Sequence, residues 1–88
     1  MRLHFAELTA DGAGKRQFNV SITDQLGARQ LLENFDIFSE AGGARKAIVK
    51  EFDVVSRGDG TLRLSFNKGA TGLPAVNGIE FILAESIK

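Results

Sequence analysis

Hydrophobic and polar residues alternate along most of the chain with a period of two, which is typical of half-buried β-strands. Glycine-rich turns separate the alternating stretches. The pattern predicts about six strands, at residues 2–8, 17–23, 31–38, 47–55, 61–66 and 78–84. Short, closely spaced strands with little helix between them predict an all-β, antiparallel sandwich or jelly roll.

Two glycine turns predict hairpins between consecutive strands. Asp11-Gly12-Ala13-Gly14 should join the first strand to the second, because Asp-Gly favours the positive φ of a tight turn. Arg57-Gly58-Asp59-Gly60 should join the strand at residues 47–55 to the strand at residues 61–66.

Two other segments are interpreted mainly as loops. Asp24–Asn34 contains good helix formers, but Gly27 disfavours a helix, and we expect a loop that leads into the strand at residues 31–38. Small residues at 67–73 predict a loop, and Pro74 is expected at a strand start or edge.

The predicted strands carry more apolar surface than six strands readily cover. Six is few for two stacked sheets of ordinary size. We therefore expect a sandwich that is either incomplete or completed by a second copy, as a homodimer or a domain-swapped assembly.

Length and charge exclude several classes of protein. The chain has 88 residues, enough for one domain, which we take as residues 1–88. Eleven basic residues balance eleven acidic ones, which argues against nucleic-acid or anionic-membrane binding. No apolar stretch reaches the roughly 20 residues that span a bilayer, and no signal peptide is recognisable. The absence of cysteine excludes disulfides and thiolate metal sites.

The residues do not predict an enzyme, a metal site or a cofactor site. His4 is the only histidine, and no residues at ligand spacing complete a metal site around it. His4, Ser65 and Asp59 are the types of a hydrolytic triad, but no nucleophile-elbow glycines surround a serine. The carboxylates on or near strands (Glu7, Asp36, Asp53 and Glu80) are better explained as solvated side chains than as a glycosidase pair.

Five stretches together resemble the malectin and malectin-like domains. The family's strand RLHFAEI is similar to Arg2–Leu8, its R-x-F-x-V-x-I strand to Arg16–Ile22, and its NFDI segment to Asn34–Ile37. Its DGTL and PAINGIEI segments resemble Asp59–Leu62 and Pro74–Glu80. The order and rough spacing agree across nearly all of the chain.

The resemblance implies a galactose-binding-type jelly roll and a non-catalytic role in glycan recognition. The resemblance also implies that this chain corresponds to the C-terminal half of the family domain. Its implied function is an accessory carbohydrate-binding module for glucose-type oligosaccharides or polysaccharides, and its implied location is extracellular or periplasmic. The alternative is a structural or protein-interaction sandwich that has lost sugar binding.

The resemblance also places a candidate sugar site. In animal members of the family, sugar is bound mainly by aromatic residues of the other half, together with an acidic residue in the loop before the last strand. Here that loop, Lys68–Leu73, contains no acid, and the seven aromatic residues are all Phe. The polar residues in this loop and directly before it, Asn67, Lys68 and Thr71, are therefore the candidate carbohydrate-binding residues.

Overall fold

A computed structural model describes residues 1–82 of the chain. It contains six strands and one short helix in this part of the chain: β1 Arg2–Ala6, β2 Gln17–Asp24, β3 Gly27–Phe35, α1 Ile37–Ala41, β4 Ala47–Glu51, β5 Arg63–Thr71 and β6 Gly78–Glu80. The all-β class and the number of strands are confirmed.

The strands form two antiparallel sheets of three strands each, as a sandwich requires. Sheet A has the order β4-β1-β6, and sheet B has the order β3-β2-β5. The two strands with the cleanest alternation, β1 and β2, are central, and every second residue on each is buried. A central strand has its sheet's inner face covered along its whole length, so regular alternation is expected there.

The core lies between the inner faces of the two sheets. Sheet A contributes Leu3 and Phe5, and sheet B contributes Phe18, Val20 and Phe35. The three Phe rings contact one another with centroid separations of 4.8 to 6.0 Å in tilted or edge-on geometries, which aromatic rings prefer.

The two predicted hairpins are wrong, although the second of the turns exists. β1 pairs with β4 and β6, whereas β2 pairs with β3 and β5, so the segment at residues 7–16 crosses between sheets. The turn at residues 57–61 is closed by hydrogen bonds between Arg57 and Gly60 and between Arg57 and Thr61. It also connects one sheet to the other, because β4 and β5 belong to different sheets.

Residues 27–41 differ from the prediction in two ways. β3 begins at Gly27, directly after a tight turn in which Gly27 adopts a φ of 103°. The predicted strand at residues 31–38 also ends early, because Asp36 caps the helix α1 through a 3.1 Å bond from the Ser39 N–H. Gly42, with a φ of 83°, terminates that helix.

Three predicted strands are shorter in the structure, and the first of them, β1, ends at Ala6 instead of residue 8. β4 stops at Glu51 because the following residues turn toward sheet B, where the Asp24 carboxylate accepts a 2.9 Å hydrogen bond from the Val55 N–H. β6 comprises Gly78–Glu80, and residues 83 and 84 of its predicted extent lie outside the described residues.

Candidate functional site

One end of the sandwich is built from the crossover at residues 7–16 and the connection at residues 72–77, which we call the loop end. Arg16 joins the two segments. Its Nε donates to Glu7 Oε1 over 2.8 Å, its Nη2 donates to Thr9 Oγ1 over 3.0 Å, and its Nη1 donates to the carbonyl oxygen of Leu73. The loops are therefore held by one guanidinium in a fixed geometry.

The Glu7 carboxylate is the buried partner in this arrangement, with only 1% of the residue exposed. It also accepts hydrogen bonds from the N–H groups of Thr9 and Ala10. Burial alone raises the pKa of Glu7, but the hydrogen bond from Arg16, the two backbone bonds and the Arg16 charge outweigh it. The pKa of Glu7 therefore lies below its usual value of 4.5, and the pair is charged at neutral pH.

Gly14 fastens the tip of the crossover to the rest of the molecule. Its N–H donates to Asp36 Oδ2 over 2.6 Å, and its carbonyl oxygen accepts a 2.8 Å hydrogen bond from the Thr71 hydroxyl. Its φ of 79° is one that glycine adopts without steric cost.

The predicted site residues Asn67, Lys68 and Thr71 are all exposed, but they lie on β5 rather than in a loop. Thr71 reaches the loop end through its bond to Gly14. Asn67 lies opposite Asn19 on the outer face of sheet B. Neighbouring residues of a strand point to opposite faces, so Lys68 and Asn67 do not share one surface.

A close approach of two strands explains why this segment is not a loop. A Cβ atom at position 69 would lie 2.5 Å from the carbonyl oxygen of Gln17, so only glycine fits there. The pairing of β2 with β5 shifts register between Gln17 and Phe18 and then continues to Thr71. Small residues therefore extend a strand here, where the composition predicts a loop.

Polar side chains cover the outer face of sheet B beside the loop end. Asn19 on β2 faces Asn67 on β5, and Ser21 faces Ser65. The Asn19 side-chain oxygen accepts a 2.8 Å hydrogen bond from the Asn34 N–H, which leaves its amide N–H groups for other partners. Amides and hydroxyls on this face are groups that bind sugar hydroxyls.

Exposed apolar residues flank Arg16 and its partners Glu7 and Thr9. Leu8 is 59% exposed beside Thr9, and Leu73 is 66% exposed although its carbonyl is bonded to Arg16. Sequence reasoning missed Thr9, Arg16 and both leucines as parts of one site. Contacts across 57 positions of the chain have no local sequence signal.

The structure does not bring together the residues of a hydrolytic triad. His4 lies on sheet A and contacts Glu80 at 3.2 Å, whereas Ser65 lies on sheet B. Among residues 1–82, no cluster of three or more His, Asp or Glu side chains has the arrangement to hold a metal ion. In the same range, no helix has the length and hydrophobicity needed to cross a membrane.

The fold and this loop end define an all-β sandwich module with a polar surface beside a rigid crossover. A model of the malectin domain matches residues 1–79, and the chain belongs to that family. Malectin domains are carbohydrate-binding and non-catalytic. No solved structure matches the chain.

Curated relatives support the same assignment. The chain is 36% identical over 85 residues to a probable receptor-like protein kinase and 37% identical over 83 residues to a probable LRR receptor-like serine/threonine-protein kinase, both of Arabidopsis thaliana. A kinesin-like protein of that plant is 37% identical over 78 residues. The matches cover 91%, 84% and 86% of this chain, but only 10%, 8% and 7% of the relatives.

Proposed function

We propose that the chain is an accessory carbohydrate-binding module that recognises glucose-type oligosaccharides or polysaccharides without a reaction or cofactor. The observation that carries the proposal is the malectin match over residues 1–79. We assign binding to the loop end and the adjoining part of β5, with Asn67, Lys68 and Thr71 as sugar contacts. β5 is an outer strand of sheet B, so a ligand that wraps its edge can contact Asn67 on one face and Lys68 on the other. The jelly-roll topology and the interpretation of residues 1–88 as half of a family domain belong to the same proposal.

The chemistry of the loop end supports this assignment. Lys68 offers donors to sugar hydroxyls, and the Asn67 amide offers both a donor and an acceptor. The Thr71 hydroxyl donates to Gly14 and therefore offers its oxygen as an acceptor. The exposed leucines, Leu8 and Leu73, supply apolar surface for the C–H face of a sugar ring. Because the Glu7–Arg16 pair fixes both loops before binding, little conformational entropy is lost when a ligand is bound.

The alternative function is a structural or protein-interaction module that keeps the scaffold and has lost sugar binding. It is favoured by the aromatic residues, which include no Tyr or Trp. Three of the seven Phe side chains, Phe5, Phe18 and Phe35, are buried in the core. The most exposed Phe of the described residues, Phe81, follows β6 and lies near Met1, at the opposite end of β1 from the loop end.

Titration with a gluco-oligosaccharide, monitored by amide NMR shifts, separates the two functions. We expect saturable shifts at residues 8–16 and 67–73. Lys68→Ala should weaken binding by about tenfold, which corresponds to about 1.4 kcal/mol. Arg63→Ala is the matched control, because it removes an exposed cation from the other end of the same strand. The absence of any saturable shift at sugar concentrations on the order of millimolar would favour the alternative.

The location of the domain is also a proposal. Two relatives are named as receptor-like kinases, and a sugar-recognising part of a receptor acts on the outer side of the membrane. We therefore propose an extracellular or periplasmic location. Detection of the native protein in a secreted or periplasmic fraction is the expected result, and confinement to the cytoplasm would contradict it.

We also propose that two copies associate. Each of the four outer strands, β3, β4, β5 and β6, pairs on one side only within residues 1–82. Strands with open edges readily pair with another chain. A mass that rises from monomer to dimer with concentration in sedimentation or light scattering is the expected result.

A further inference from the structure

Within residues 1–82, the core-facing side of sheet A is not covered at β6. Leu3 on β1 and Ile79 on β6 are direct partners, so both side chains point to the inner face. Leu3 is 0% exposed, whereas Ile79 is 45% exposed. Sheet B therefore covers the central strand of sheet A but does not extend over its β6 edge.

Phe81 continues this uncovered inner face. Arg2 pairs with Glu80, so the next step of the register places Phe81 opposite Met1. Both residues line one groove of about 620 Å³. Phe81 is 57% exposed. Val55 and Leu62 form the other side of the groove. An apolar strip from Ile79 to Phe81 therefore follows an edge strand whose second side is unpaired in the described part of the chain.

We propose that this edge is the surface through which two copies of the chain associate. In an antiparallel arrangement with Glu80 at the two-fold axis, Ile79 of each copy lies opposite Phe81 of the other. The two sheets A then become one sheet of six strands, with the inner faces continuous. The arrangement therefore contains two Ile79–Phe81 pairs, one on each side of the axis. Aromatic–β-branched pairs of this kind stabilise strand pairing. The inference rests on the association proposed above and names its surface.

The charges at the edge are compatible with this register. Two Glu80 side chains face each other, and like charges in that position oppose pairing. Each Glu80, however, already has Arg2 Nη1 at 3.8 Å and His4 Nε2 at 3.2 Å from its carboxylate. The Arg2 guanidinium and the formal net charge of zero therefore reduce the repulsion between copies.

Single cysteine variants test the register, because the natural chain has no cysteine. Glu80→Cys places a thiol at the proposed two-fold axis, where direct partners lie close enough for a disulfide. We expect rapid formation of a covalent dimer under mild oxidation. Glu51→Cys is the matched control: Glu51 also bonds to Arg2, but it lies on β4 at the opposite edge of the same sheet. It should form no covalent dimer under non-reducing conditions.

A charge placed at the interface tests the strength of the contact. Ile79→Lys should raise the dimer dissociation constant at least about tenfold in sedimentation equilibrium, because a lysine on an edge strand opposes pairing. Val49→Lys is the control, since Val49 has the same 45% exposure but lies on β4. It should leave the dissociation constant unchanged.

These experiments test three proposals separately: the β6 surface, the association of two copies, and sugar binding. A dimer that persists in Ile79→Lys, together with a Glu80→Cys variant that does not cross-link, overturns the surface and keeps the association. A monomer at every concentration overturns both. Sugar binding is measured at the other end of β1, so shifts at residues 67–73 are independent of either result. Glycan shifts at Val55, Leu62 and Phe81 would identify the groove as a sugar site and contradict a protein occupant.

Discussion

The two ends of the sandwich use the same device to anchor a crossing segment. At the loop end, the buried Glu7 carboxylate binds Arg16, which reaches the carbonyl of Leu73. At the far end, formed by the β2–β3 turn and residues 53–55, the buried Asp24 carboxylate binds Arg29 at 2.7 Å, and Arg29 reaches the carbonyl of Asp53 over 2.9 Å. Both carboxylates also accept two backbone hydrogen bonds.

The ends differ in what surrounds the ion pair. The Arg16 side chain is 18% exposed and the Arg29 side chain 32%. Polar groups adjoin the first pair, whereas the apolar groove that includes Val55 adjoins the second. One anchoring arrangement therefore supports two kinds of surface, and the proposed functions differ because their neighbours differ.

The largest effect is expected from Arg16→Met, which removes the cation at the loop end and keeps most of the side-chain volume. The Glu7 carboxylate then stays buried without its charge partner, and the free energy of unfolding should fall by about 3 kcal/mol. Denaturant unfolding measures this change. Lys15→Met is the control, because the Lys15–Asp11 pair is exposed and its loss should change stability little. Equal effects of the two variants would contradict the buried role of Arg16.

A smaller loss is expected from Gly69→Ala, which tests the close approach of β5 to β2 at the loop end. The added Cβ meets the Gln17 carbonyl, and the required backbone shift should lower the free energy of unfolding by about 2 kcal/mol. Sugar affinity should fall with it, because Lys68 and Thr71 move. Gly58→Ala is the matched control: no atom lies within 4 Å of its added Cβ. A tolerated Gly69→Ala would show that the strands separate without cost.

Arg29→Met should lower the free energy of unfolding by less than Arg16→Met or Gly69→Ala. Arg29 is more exposed than Arg16, so water replaces part of its interaction with Asp24. The groove at residues 53–55 should loosen, which amide exchange at Val55 measures, while residues 8–16 keep their protection. Arg63→Met, at an exposed position on β5, controls for the loss of a cation. Loss of protection at both ends would contradict their independence.

The smallest expected effect is on the pH dependence of stability. The two ends should lose stability in different acidic pH ranges. The hydrogen bond from Arg29, followed by that from the Val55 N–H, lowers the pKa of Asp24 below its ordinary value of 3.8. The pKa of Glu7 is lowered from 4.5. A lowered folded pKa stabilises the fold at higher pH, so each contribution is complete above the ordinary value and is lost as the pH falls through the folded value.

Unfolding of Glu7→Gln and Asp24→Asn at a series of acidic pH values measures this difference. Glu7→Gln should flatten the dependence of stability on pH from about 4.5 downward, and Asp24→Asn only from about 3.8 downward. Unchanged slopes in both variants would contradict the lowered pKa values.

Local patterns predicted the parts of the fold that depend on one strand at a time. Apolar residues at every second position, Leu3 and Phe5 on β1 and Phe18 and Val20 on β2, identified both central strands and their buried faces. Strand partners were not predicted, because a turn dipeptide such as Asp11-Gly12 has the same composition in a hairpin and in a crossover between sheets.

The binding role of Asn67, Lys68 and Thr71 stays a prediction, but their positions can be compared with the expected loop. Thr71 does lie at the loop end, through its contact with Gly14. The segment around it was assigned as a loop because small residues usually form loops, and the contact of Gly69 with Gln17 becomes visible only when the strands are paired. The role of Arg16 was missed for the same physical reason: its partners are brought together by the sheets.

The position of β1 in sheet A has a consequence for how the protein is made. β1 is a central strand, but its partners β4 and β6 are synthesised much later, and the Ala6 N–H bonds to an Asn77 oxygen 71 positions away. Only β2 and β3 are both consecutive and paired in the described residues. At about 5–20 residues per second on the ribosome, Leu3 and Phe5 wait several seconds for β4. Folding is therefore expected to be slow, and the nascent chain to be a substrate for chaperones during that interval.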